Sequence, residues 1–156
     1  MSLFEDSNYE YRETYFVLFD QKNLPSAEVL FTAIHGLGSR YQIIESNEDE
    51  GMFESMSVVS QQDFSAMDIA YLEGEEVESQ ILDLQEQFKN TTMTKEEVEK
   101  LAKLKHFNAR FDVFHFERVT GEPEDILDPG GLLIVLAKLS EMCDGIAVDP
   151  QSLSLM

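Results

Sequence analysis

The chain is 156 residues long, with 31 acidic and 11 basic residues, a formal charge of −20, 43 % hydrophobic residues and one cysteine. That length suits a single domain over 1–156, which buries about 70 % of the surface its unfolded chain exposes and needs no disulfide or metal staple. A lone cysteine excludes a disulfide framework and the multi-cysteine zinc motifs, and the charge excludes the cationic footprint that nucleic-acid phosphates or an anionic membrane require.

No stretch approaches 18 consecutive apolar residues, and Met1 to Glu13 carries four acids without an apolar run. Neither a transmembrane span nor a secretory signal is expected, and the expected compartment is the cytoplasm. Met1-Ser2-Leu3 reads as a leader left by expression, outside the functional argument.

Thr14-Tyr-Phe-Val-Leu-Phe-Asp20 is aromatic and β-branched on both alternating faces, the mark of a strand buried on two sides. Pro25-Ser26 opens a helix with Val29, Leu30, Ala33, Ile34 and Leu37 on one face, closed by Gly36 and Gly38. A strand is expected over 40–46, a turn at Asn47-Glu-Asp-Glu-Gly51 and a strand over 52–60. Residues 66–72 read as a further short strand or the lead into a helix. From Glu73 to Asn90 the spacing of Val77, Ile81, Leu84 and Phe88 is helical, and Thr94 with Glu97 forms a capping-box pattern that starts another helix to about His106.

Ala109 to Arg118 again places apolar residues on both faces, Phe111 and Val113 against Phe114 and Phe116. An acidic turn follows over 120–128, closed by Asp128-Pro-Gly-Gly131, and then an apolar helix over 132–142. Asp144-Gly145 ends it, 146–149 forms a strand, Pro150 breaks that strand, and 152–155 reads as an edge strand.

A β-α-β unit over 14–46 is thus echoed by one over 109–149, each helix entered through a proline and left through a glycine. Two such units make an α+β, ferredoxin-like split βαβ core, in which the first strand of each unit is central. Residues 47–107 become an insertion of a hairpin and two helices. The sheet face away from the two core helices must then be covered, by the inserted helices over 75–106 or by a second copy meeting sheet to sheet as a homodimer.

The segment Leu132-Leu-Ile-Val-Leu-Ala-Lys-Leu-Ser-Glu-Met142 running into Asp144-Gly-Ile-Ala-Val-Asp-Pro150 resembles the closing helix-strand segment of several families of small uncharacterised bacterial proteins. The resemblance covers about 25 residues. It implies a bacterial cytoplasmic origin and transfers no site residues.

Candidate chemistry is sparse. His35 and His106 lie at helix C-termini, where positive charge is favoured, and no pair of histidines has the spacing of a helical metal site. His115 sits inside a strand apolar on both faces, which marks either a hydrogen-bonded core imidazole or a working group. Glu117 shares its face on an ideal strand and Asp112 does not, so His115 and Glu117 are the candidate catalytic pair. Cys143, at a helix C-terminus between Glu141 and Asp144, lacks what stabilises a thiolate. The acidic run 46–51 reads as a solvated turn rather than a calcium loop, and Glu73, Glu75, Glu76 and Glu78 complement a helix N-terminus. The glycines at 36, 38, 130 and 131 form no dinucleotide fingerprint or P-loop, no nucleophile elbow is present, and no cofactor or metal is expected. The expected function is a non-catalytic, self-associating binding or regulatory module, immunity or anti-toxin-like, whose acids near 45–54, 73–86 and 117–128 suit a basic protein partner. The competing expectation is an enzyme or ligand-binding domain with a pocket between the sheet and the inserted helices near His115.

Overall fold

The computed structural model describes residues 3–89, 91–119, 130–152, 154 and 155. A 3-10 turn at Leu3–Glu5 leads into β1 (Tyr9–Phe19), α1 (Ala27–His35), β2 (Tyr41–Asp49), β3 (Met52–Ser60), β4 (Ser65–Glu73), α2 (Glu75–Phe88) and α3 (Lys95–Leu104). Then come β5 (Ala109–Arg118), α4 (Gly130–Cys143), β6 (Ile146–Asp149) and β7 (Ser154–Leu155). The expected acidic turn over 120–128 and the start of Asp128-Pro-Gly-Gly131 lie outside the described residues.

The protein is a mixed α+β fold on one seven-stranded sheet of order β2-β3-β4-β5-β1-β6-β7, with every neighbouring pair antiparallel. The two strands apolar on both faces, β1 and β5, lie side by side in its middle. Because β5 and β6 both run antiparallel to β1 from opposite sides, they are parallel to each other and α4 joins them across it. The first unit is wider than expected. β1 and β2 are separated by β5, β4 and β3, since the hairpin of the 47–107 segment is built into the sheet instead of standing outside it. Its apolar residues dictate this: Phe53, Met56, Val58, Met67 and Ile69 are buried in the same core as β1 and β5.

Local chemistry fixes the elements. Ser26 caps α1 by accepting from the Val29 amide, and the Ala27 amide donates to Gly51 O, tying the helix start to the β2–β3 turn. Glu50 and Gly51 both have positive φ, 50° and 83°, the pair a tight hairpin needs. The capping box at Thr94 and Glu97 is formed in both directions. Residues 66–72 resolve as strand, because β4 pairs with β3 on one side and β5 on the other.

Two layers of side chains cover the sheet. Leu30 and Ile34 of α1 and Leu132, Val135, Leu136 and Leu139 of α4 pack with Val17, Phe19, Phe111 and Val113 on one face. On the other, Val77, Ile81, Leu84 and Phe88 of α2 and Leu104 of α3 pack with Leu18, Ile146, Val148 and Leu155. The inserted helices therefore cover that face over β1, β6 and β7. Leu3 is 2 % exposed, packed with Val59, Ala66 and Phe116, and its amide donates to Asp68 Oδ2 at 3.1 Å. Among the described residues no helix is long and apolar enough to cross a membrane.

Candidate functional site

The cross-strand register assembles a polar group that sequence spacing does not show. His115 on β5 stands opposite Glu13 on β1 and opposite Met67 on β4, two residues along from Ser65. All point toward the α1–α4 layer, as Val113 and Met67 do. His115 is fully buried, with Nδ1 3.0 Å from Glu13 Oε1 and Nε2 2.9 Å from Ser65 Oγ. An imidazole protonated on Nδ1 donates to the carboxylate and accepts from the serine hydroxyl, so both ring nitrogens are satisfied in the neutral state.

This is the connectivity of a nucleophile, base and orienting acid. Ser65, however, is only 1 % exposed. The sequence candidates are placed differently. Glu117 pairs with Arg12, Nη1 to Oε2 at 3.3 Å, and Glu13 is the acid that meets His115. A register shift between Tyr11 and Glu13 makes this possible, bulging β1 at Arg12. Sequence spacing does not single out Glu13, because the apolar alternation that marks the strand starts at Thr14, nor Ser65, because nothing local distinguishes it. His115 also faces away from α2 and α3, so it does not line a pocket between the sheet and the inserted helices.

Beside this group a second polar cluster closes the sheet end at the α4 N-terminus. Asp63 is buried, accepts from Ser60 Oγ at 2.6 Å and lies 3.7 Å from Arg40 Nη1. Arg40 donates to the Tyr41 hydroxyl, which donates to Gly131 O at 2.9 Å. A Cβ on Gly131 would lie 2.5 Å from Asp63 Oδ2. The Asp63 carboxylate thus lies against the first turn of α4.

On the opposite face Arg110 and Asp112 form a nearly buried pair, Nε to Oδ1 at 2.7 Å, in which those two atoms meet charge to charge without hydrogen-bond alignment. Arg110 also donates to Gln80 of α2 and lies over the Phe16 ring. Burial pushes the Asp112 carboxyl up, and Arg110 opposes the shift. Cys143 is buried, with its thiol pushed up to about 12, burial being the main cause, and it donates to Leu139 O.

The surface clefts lie elsewhere. One of about 420 Å³ is lined by Asp49, Glu54 and Glu73 with Met52, Phe53, Tyr71 and Leu72. It joins the tip of the β2–β3 hairpin to the end of β4, so two acidic runs separated in the chain meet at one end of the sheet. Burial and the hydrogen bond to Glu73 push the Tyr71 hydroxyl up. Two further clefts flank β2. One of about 360 Å³ includes Phe4, Glu45, Asn47, Asp68 and Phe114, and one of about 680 Å³ includes Glu28, Phe31, His35, Ser46 and Glu48. His106 lines a fourth, smaller cleft with Glu78 and Lys105. Neither Ser65, His115 nor Glu13 lines any of these four. Among the described residues no group of three or more His, Cys, Asp or Glu side chains is arranged to hold a metal ion.

Comparison with known protein families, with curated protein sequences and with solved structures returns no match to this chain.

Proposed function

We propose that this protein is a non-catalytic binding module, of immunity or anti-toxin kind, that takes a basic protein partner at the acidic end of its sheet. The observation that carries this is the meeting of Asp49, Glu54 and Glu73 around one cleft that no Lys or Arg lines. Met52, 43 % exposed, and Tyr71 give the same patch apolar contact area. Clustered charge steers a cationic partner and an apolar centre holds it, the usual division of labour at an interface. A bacterial cytoplasmic setting and a ferredoxin-like core extended by β3 and β4 belong to this reading. The straddling of β1 by β5 and β6 supports the second.

Native mass spectrometry of the protein isolated from its host extract tests it. A complex with a basic polypeptide that dissociates as salt is raised is the expected result, and a retained small molecule without a protein partner overturns it. The homodimer expected from the sequence is read from the same spectrum.

A second reading, hydrolytic chemistry, rests on the Ser65–His115–Glu13 relay alone. A fluorophosphonate probe that labels Ser65 in the native protein would establish it, and absence of labelling would remove it.

A further inference from the structure

The geometry points to β2 as the docking edge for that partner: we propose that an extended Lys- or Arg-bearing segment adds to it as an eighth strand. This rests on the reading of a basic partner and names how it binds.

β2 ends the strand order and, among the described residues, no strand pairs with its outer side. It is nine residues long, whereas the other terminal strand, β7, has two. Its pairing with β3 shifts register between Ile43 and Glu45 and again between Asn47 and Glu48, so its outer side offers short stretches of backbone donors and acceptors to an incoming strand and not one continuous row. What singles out this edge is the arrangement of the clefts on either side of it. Glu45 and Asn47 open onto the cleft with Asp68 and Phe114, while Ser46 and Glu48 open onto the cleft with Glu28 and Phe31. A strand laid beside β2 sends alternate side chains to the two faces, and so into these two clefts in turn.

The two clefts differ in what they offer. In one, Glu28 and Glu48 stand with Phe31, and no Lys or Arg lines it; in the other, Asp68 already accepts from Ser57 Oγ and from the Leu3 amide, and Phe4 and Phe114 supply apolar surface. A Lys or Arg side chain suits the first, laying its alkyl stem on the Phe31 ring and its charged head on Glu28 and Glu48, and the apolar side chain that alternates with it suits the second. Charge also decides against a second copy as the occupant. Antiparallel pairing of β2 with itself centred on Glu45 opposes Glu45 to Glu45, and centred on Asn47 it opposes Glu45 to Asp49. The acids that protect the edge from its own kind leave it open to a basic strand.

The test uses a synthetic ten-residue peptide alternating lysine with valine, a matched peptide with glutamate for lysine, and the intact protein. Fluorescence anisotropy is expected to show salt-sensitive binding of the lysine peptide only, with amide hydrogen exchange slowed across 41–49. The double variant Glu28→Lys with Glu48→Lys, both exposed, is expected to weaken binding tenfold or more. The control pair Glu96→Lys with Glu99→Lys, exposed on α3, makes the same charge change and is expected to leave affinity within twofold. Equal loss in both variants, or binding that protects other amides and not β2, overturns the edge. If the peptide fails while a basic polypeptide still co-isolates, the edge is wrong and the basic partner stands. Failure of both removes both.

Discussion

Glu13 and His115, 102 positions apart in the chain, stand directly opposite each other on β1 and β5 and are joined at 3.0 Å, with the imidazole's far nitrogen held by Ser65. Removing one partner leaves a buried polar atom unpaired. Ser65→Ala is expected to lower stability by about 1–3 kcal/mol, the cost of an orphaned buried acceptor. Glu13→Gln keeps an acceptor in place and is expected to cost less. Urea unfolding midpoints of the two variants check the order, and an unchanged midpoint for Ser65→Ala would show that His115 does not depend on this clasp.

The Arg110–Asp112 pair beneath α2 makes a contrasting case, a charge pair with little solvent access. Asp112→Ala leaves the guanidinium without its counterion and is expected to cost about 3 kcal/mol, whereas replacing both members together by Leu and Met is expected to cost much less. A double-mutant cycle in urea measures the difference. Additive losses would show that the pair is not coupled.

Cys143 is expected to resist thiol reagents at pH 8 until the protein unfolds, because the thiol is buried and pushed up to about 12. The linkage has a definite sign. The folded thiol keeps its proton up to about 12 while an unfolded one loses it near 8.5, so stability falls as pH rises between these values, by at most about 1.4 kcal/mol per unit. Cys143→Ala is expected to flatten that decline, as read from urea midpoints at pH 8, 9 and 10. Parallel profiles would assign the alkaline loss to other groups.

Gly145 carries β6 away from α4 at a point where the backbone of β1 comes close. A Cβ there would lie 2.6 Å from Leu18 O, which belongs to a central strand and cannot yield cheaply. Gly145→Ala is expected to cost about 1–3 kcal/mol, the usual penalty of overpacking. Thermal unfolding checks it, and a wild-type Tm would mean that the α4–β6 connection shifts freely.

Much of the scaffold is legible along the chain. Val77, Ile81, Leu84 and Phe88 were spaced as one helical face and all four are buried. Thr94 and Glu97 form the box their spacing announces, and Met52–Ser60 is a strand with the expected ends. Phe111 and Val113 turn to one core while Phe116 turns to another. The site was far less legible. Glu13 precedes the apolar alternation that marks the strand, and its pairing with His115 depends on a bulge at Arg12 that no composition signal marks.

Periodicity and capping are local. They follow from backbone geometry over a few residues, so the amino-acid order alone settled the helices, most of the strands, the placement of β1 and β5 and the acidic character of the surface. Strand order and partnership are not local. Whether β3 and β4 join the sheet or stand outside it, which acid meets His115, and which acidic runs face each other around a cleft depend on register between segments tens of residues apart. Only the packed sheet sets that register, because the energy that selects it comes from burying Phe53, Val58, Met67 and Phe111 together, not from any one segment.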